Sequence, residues 1–216
     1  MFARFGVVLL AVVLAEPEAA PARVGVGALF SPPPGFLEAT HRACDALTGD
    51  AFGECFVARM RASGASEAAL AFTRRTGNQG YLRRFRDDGP VDVAWVELPF
   101  RANENSACDL VNGLPPTVDV DDLSLLSSEA LAQSAGWAAL EKAYPKIAIF
   151  PGDRFHDGAV VTVPRPGGGP RFEVEYALVD GCHACAHVGI LRLAFDFDGG
   201  GRYLGVSVLA VSPAAP

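Results

Sequence analysis

Residues 172–178 read FEVEYAL, residues 191–197 read LRLAFDF and residues 204–210 read LGVSVLA. Phe172, Val174, Tyr176 and Leu178 occupy alternate positions, as do Leu191, Leu193, Phe195 and Phe197, and then Leu204, Val206, Val208 and Ala210. Successive side chains of a strand point to opposite faces, so each run reads as a strand with one apolar face. Ala159 to Val163 adds a strand in front, joined through Pro166-Gly167-Gly168-Gly169-Pro170. Short turns between them imply an antiparallel meander, whose apolar face is expected to be covered by helices.

Upstream, Tyr81 to Arg86 and Val91 to Leu98 are strand-like and flank Asp87-Asp88-Gly89-Pro90, a hairpin turn by composition. A polar loop, Arg101 to Ser106, and a short extended piece, Thr117 to Val120, lead to a helix expected over Ser128 to Tyr144. Leu131, Trp137, Leu140 and Tyr144 mark its buried stripe, and Pro145 ends it. The N-terminal third is helical. Leu37, His41, Cys44 and Leu47 form one helical pattern and Phe52, Phe56 and Met60 another, broken at Thr48-Gly49-Asp50. A third helix runs from Glu67 to Arg75, with Ser66 as its N-cap and Gly77 closing it. The chain is thus an α+β protein, with N-terminal helices and one central helix packed on antiparallel sheet. A single domain is expected over residues 36–212, after a proline-rich leader at 23–35 that contains Ser31-Pro32-Pro33-Pro34-Gly35.

Arg4 followed by the apolar run Phe5 to Ala15 has the form of a signal peptide and is too short for a membrane span. Ala20-Pro21-Ala22 fits the small-x-small processing rule, which places cleavage after Ala22 and makes residues 1–22 the signal. The mature protein is then periplasmic or extracellular, with no membrane span after signal removal. The net charge of −7 argues against nucleic acid as a partner, because phosphate-backbone binding rests on a basic surface.

Five cysteines in an exported chain point to two disulfides and one remaining thiol. Cys44 and Cys55 lie on either side of the helical break and would face each other in a helical hairpin; in the chain-entropy model that closure contributes about 3 kcal/mol. The shorter Cys182 to Cys185 loop contributes about 2 kcal/mol, leaving Cys108 as a buried thiol.

Reactive residues concentrate at Asp180-Gly181-Cys182-His183-Ala184-Cys185-Ala186-His187, between two strands of the meander. One reading is a structural disulfide pinning the turn, which export favours. A second is a redox dithiol of Cys182 and Cys185 with His183 stabilising a thiolate, although the residues that follow alternate as a strand and supply no activating helix dipole. A third is a zinc or copper site of Cys182, His183, Cys185 and His187, with His156, His41 or Cys108 replacing a ligand. Haem attachment is excluded by Ala186, since the motif requires His directly after the second cysteine.

Asp119, Asp121 and Asp122 offer hard oxygen ligands for calcium, but Val118 and Val120 alternate with them as a buried strand face would, which favours a solvated strand edge. Asp196-Phe197-Asp198-Gly199 opens like a calcium loop, yet Ser207 stands where the bidentate Glu is needed. Arg74, Arg75, Arg83, Arg84 and Arg86 gather near the third helix and the following strand, either as an anion pocket or as salt-linked surface beside Asp87 and Asp88. No G-x-S-x-G, H-E-x-x-H or Lys-ending phosphate loop occurs. The leading expectation is a non-enzymatic module binding a small ligand or another envelope protein, without a cofactor. The alternative is thiol-redox or metal chemistry at the Cys182 to His187 turn.

Overall fold

The computed structural model describes residues 22–102, 105–152 and 158–214. Three helices come first: α1 (Phe36–Cys44), α2 (Gly49–Ala62) and α3 (Glu67–Arg75). The Ser66 hydroxyl accepts from the Ala69 amide, so the sequence-placed cap of α3 is present. Four strands follow as one antiparallel sheet, β1 (Tyr81–Arg86), β2 (Asp92–Glu97), β3 (Ser106–Val111) and β4 (Thr117–Asp119), in chain order. After α4 (Ser128–Ala132) and α5 (Trp137–Ala143) comes a second antiparallel sheet. It contains β5 (Ile147–Pro151), β6 (Val160–Pro164), β7 (Pro170–Asp180), β8 (His187–Phe197) and β9 (Tyr203–Pro213). Strands β5 and β6 pair with the two ends of β7, and β8 and β9 complete the order.

The apolar face of the meander is covered chiefly by the other sheet. Phe172, Val174, Tyr176, Leu178, Leu191, Leu193, Phe195 and Phe197 share one core with Val93 and Trp95 of β2 and Cys108 and Leu110 of β3. The intervening positions, Ala94 and Val96 of β2 and Val111 of β3, face the helical layer with Val24, Ala28 and Phe72. The first sheet is therefore the middle of three layers, and the expectation of a purely helical cover is corrected. Trp137 and Leu140 still enter the core between the sheets, closing it near β9.

Three local differences from the sequence reading have identifiable causes. The helix expected over Ser128 to Tyr144 is broken at Gly136, whose φ of +94° and close approach to the Val211 carbonyl leave no room for a side chain. In β9, register shifts opposite Arg192/Leu193 and Asp196/Phe197 change which residues face inward. Leu204 is consequently 49% exposed, while Val211, rather than Ala210, is buried opposite Leu191. The leader is also not outside the fold. Val24, Ala28 and Phe30 are buried, and the Phe30 amide donates to the Leu82 carbonyl at 3.0 Å, so packing begins before Phe36.

Hydrogen bonds fasten the sheets to each other at three places. The Leu114 amide donates to the Gly201 carbonyl at 2.8 Å and the Tyr203 amide to the Leu114 carbonyl at 2.9 Å. Arg86 of β1 donates to the Val160 carbonyl and to Thr162 of β6, whose hydroxyl in turn donates to Asp88. The Tyr176 hydroxyl donates to the Val120 carbonyl, tying β7 to the end of β4.

The β9 register separates two similar substitutions. Leu193→Ala, in the core between the sheets, is expected to destabilise the domain by about 3 kcal/mol in denaturant unfolding. Leu204→Ala, outside that core, is expected to change stability by about 0.5 kcal/mol or less. Equal losses would place Leu204 inward and contradict the bulge.

Candidate functional site

The turn from Cys182 to His187 holds a closed disulfide between Cys182 and Cys185. The Cys185 amide donates to the Cys182 carbonyl at 2.9 Å and the Asp180 amide to the Ala186 carbonyl at 3.0 Å, a tight connection between β7 and β8. Residues 180–187 are all exposed, and the His183 ring lies against Phe150 with centroids 5.3 Å apart. With both sulfurs bonded to each other, neither is a thiolate available as nucleophile or metal ligand. Among the described residues no three His, Cys, Asp or Glu side chains converge to hold a metal ion. His41 lies instead on α1 near Phe100, and Cys108 is buried between the sheets outside any disulfide. His156 lies outside the described residues.

The five arginines are distributed over different partners. Arg74 is exposed on the last turn of α3, where Arg75 donates to the Ala22 carbonyl. Arg83 pairs with Glu97. The Arg84 and Arg86 guanidinium groups sit over the Trp95 ring at 4.5 and 5.4 Å, and Arg86 also bonds both Asp88 oxygens. Four of the five are thus engaged with carboxylates, carbonyls or an aromatic face, the salt-linked alternative of the sequence reading.

A cavity of about 390 Å³ opens at the mouth of the helical hairpin. Its walls come from three separate parts of the chain: Leu47 to Gly53, Gly77 to Gln79, and Phe100. The Cys44–Cys55 disulfide closes the base of the first part, with Cα atoms 6.0 Å apart. Gly49 takes a φ of +55° at the start of α2, and Thr48 precedes it extended, without a side-chain cap bond. The first-turn amides of α2 are therefore left without a side-chain acceptor at Thr48, at the positive end of a helix.

Gly53 allows the second part to come close, since a Cβ there would lie 2.6 Å from the Asn78 Cβ. Asn78 itself holds a φ of +61°, and its Nδ2 donates to Glu54 at 2.9 Å. Phe100 meets Phe52 edge-on at 5.2 Å and Phe56 at 5.5 Å, forming an aromatic floor. Apolar and aromatic surface with a few convergent polar groups is the usual composition of a small-ligand pocket. The Thr48-Gly49-Asp50 break was visible in sequence, whereas Asn78, Gln79 and Phe100 carried no signal beyond bordering a helix stop and a polar loop.

A second concavity, about 300 Å³, lies beside β3 and β4 and is lined by Asp109, Asp119 and Asp121 with Arg75, Arg101, Ser106 and Thr117 among others. Asp109 and Asp119 are direct cross-strand partners. Burial pushes the Asp109 carboxyl from its ordinary 3.8 up to about 7, with the Asp119 and Asp121 charges adding to the effect. Burial also raises Asp119, against the opposing hydrogen bond from the Asp121 amide. As the sequence predicted, Val118 and Val120 are buried and the acidic residues stand at the strand edge. Asp119 and Asp122 accept from the Asp121 and Ser124 amides, at 2.8 and 3.0 Å.

The fold and its two disulfides define a three-layer α+β domain with a pocket in its helical layer. No protein-family model matches the chain, and comparison with curated proteins and with solved structures finds no match. Among the described residues no helix is long and apolar enough to cross a membrane.

Asp109 makes stability depend on pH. Between its unfolded value near 3.8 and its folded value of about 7, the folded state holds a proton that the unfolded state has released. Stability therefore falls as pH rises through that window and levels off above it. Asp109→Asn is expected to flatten this slope and, at pH 8, to stabilise the domain by about 1–2 kcal/mol, measured by denaturant unfolding at several pH values. An unchanged slope would remove Asp109 as its source.

Proposed function

We propose that the chain is an exported, disulfide-bonded binding module whose small ligand occupies the cavity at the mouth of the helical hairpin. The observation that carries this reading is the Cys44–Cys55 disulfide, which closes covalently the chain segment whose Leu47 to Gly53 stretch walls the cavity. A covalent closure there holds the loop in place before a ligand arrives, which lowers the ordering cost of binding. Two closed cysteine pairs in one domain fit an oxidising compartment, periplasmic or extracellular. The lining favours holding over converting: Leu47, Phe52 and Phe100 supply apolar contact, and Thr48, Asp50, Asn78 and Gln79 supply polar groups. The matching ligand has an aromatic or branched apolar body and an acceptor group placed against the first-turn amides of α2.

Phenylacetate and phenylethylamine serve as probes of this arrangement, because they share a ring and differ in the polar end. In an amide-resolved NMR titration, phenylacetate is expected to shift the Gly49, Asp50 and Asn78 amides at millimolar concentration, with phenylethylamine weaker. Reducing the disulfides, or replacing Phe100 by Ala, is expected to weaken phenylacetate binding about tenfold. Shifts confined to other surfaces, or none with either probe, would refute this site.

Exposure of the Cys182 to His187 turn supports a second reading, in which a reductant opens the pair and frees Cys182, His183, Cys185 and His187 for thiol exchange or for zinc or copper. Cys182→Ser distinguishes the two. Lost stability with unchanged probe binding marks a structural disulfide; an intact fold that no longer exchanges thiols or binds added zinc marks a chemical site.

A further inference from the structure

The second sheet ends at β9, which carries no charged side chain and has a proline only at its last position. Among the described residues no strand pairs with its outer edge. Edges of this kind are usually blunted by lysine, proline or an inward charge, since unpaired main-chain groups offer a template to another strand. Leu114 bonds to Gly201 and Tyr203 at one end of β9, and Gly136 closes on the Val211 carbonyl at the other, which leaves Leu204 to Ala210 between these contacts. Val206 and Val208 face the core opposite Phe195 and Leu193, yet both stay partly exposed while those two are buried. The inner face of the strand is thus incompletely covered on its open side. Leu204 and Leu209, the extra residues of the two bulges, are 49% and 37% exposed.

We propose that β9 pairs antiparallel with β9 of a second copy about a twofold axis at Ser207, joining the two second sheets into one. In such a pair, residues equally far before and after the axis meet across the two chains and must lie on one face. A strictly alternating strand meets this condition about any of its residues, so its register is open. The bulges of β9 remove that freedom. Ser207 faces out; stepping away from it on both sides, Val206 and Val208 face the core, Gly205 and Leu209 face out, Leu204 and Ala210 face out, and Tyr203 and Val211 face the core again. An axis at Val206 or at Val208 would set outward against inward residues within two positions. Sizes match as well, because each exposed leucine meets a small residue: Leu204 meets the partner's Ala210, and Leu209 meets the partner's Gly205. Each chain carries a net charge of −7, and the uncharged edge lets two such chains meet without opposing like charges. At Leu204 and Ala210 the bulges bend the strand, and the pairing ends there. An edge this short covers less than the roughly 1,200 Å² of a standard interface, so the dimer is weak and reversible.

The oxidised protein, produced from the full chain, is followed by sedimentation velocity from micromolar to near-millimolar concentration. It is expected to pass from monomer to dimer and no further, because each copy has one such edge. Ser207→Asp and Ser207→Lys each set like charges against each other across the axis, and each is expected to raise the dissociation constant at least about tenfold. An equimolar mixture of the two variants is expected to recover the dimer, since the axis then brings opposite charges together. Near-ultraviolet circular dichroism like that of the wild type establishes that the variants fold; if either does not, Leu209→Lys at its exposed position replaces the pair, with a weakened dimer expected and an unchanged one counting against the edge. A wild-type chain that stays monomeric throughout, or that assembles beyond a dimer, would overturn the proposal. So would an unchanged dimer in both Ser207 variants, which would put the contact on another surface, or two monomeric variants whose mixture stays monomeric, which would remove Ser207 from the axis.

Discussion

The structure depends on a middle strand, β2, that is buried on both faces. Strand β2 sends Val93 and Trp95 to the second sheet and Ala94 and Val96 to the helices, all of them buried. Every other layer is organised by that fact. The second sheet needs only one apolar face, and its outer face carries cross-strand ion pairs such as Arg171 with Asp196 and Arg192 with Glu173. The helices likewise need only one apolar stripe each. A shift of β2 by one residue would exchange Trp95 for Ala94 between two cores of different depth, so register is held from both sides. Trp95 also marks where the middle layer meets charge, with the Arg84 and Arg86 guanidinium groups lying over its ring at the rim of the sandwich.

What could be read in the sequence follows from the same asymmetry. Strands β7 and β8 keep their large apolar side chains on one face because the other carries ion pairs, so the inward sets Phe172 to Leu178 and Leu191 to Phe197 are legible in sequence, with only the small Ala194 buried out of step. Strand β3 was not, because Ala107 and Val111 face the helices, Cys108 and Leu110 face the other sheet, and Asp109 interrupts the run. The bulges of β9 lie beyond any count of alternation, since an extra residue changes the inward set without changing composition. The packing of residues 23–35 is hidden in sequence for a related reason. Val24, Ala28 and Phe30 follow neither helical nor strand spacing, and the three prolines behind them look like a linker.

The candidate site was half legible. The pairing of Cys44 with Cys55 followed from the break at Thr48-Gly49-Asp50, a local feature. The cavity did not, because its walls unite residues near 50, 78 and 100, and long-range closure leaves no periodic trace. Asn78 is marked in sequence only as the residue after a helix-closing glycine, and it too adopts positive φ. The five arginines were left open in sequence between an anion pocket and salt-linked surface; in the fold Arg75 and Arg83 have separate partners, while Arg84 and Arg86 share the Trp95 ring.

The helical layer is fastened to the rest of the fold at several places, and the aromatic contacts of Phe100 reach the pocket. Helices α1 and α3 are each nine residues long, too short to be stable on their own. They are held by the aromatic group of Phe30, Phe36, Phe56 and Tyr81, by the Cys44–Cys55 disulfide, and by the segment after Ala22 clasped onto Asp92 and Asn112. Phe100 belongs to both systems, packing on Phe56 in that core and on Phe52 at the cavity. A ligand against Phe100 would therefore press on groups that already fix the helices to the sheet. On the proposed reading, binding there would require little new ordering, and the same rigidity would restrict what fits.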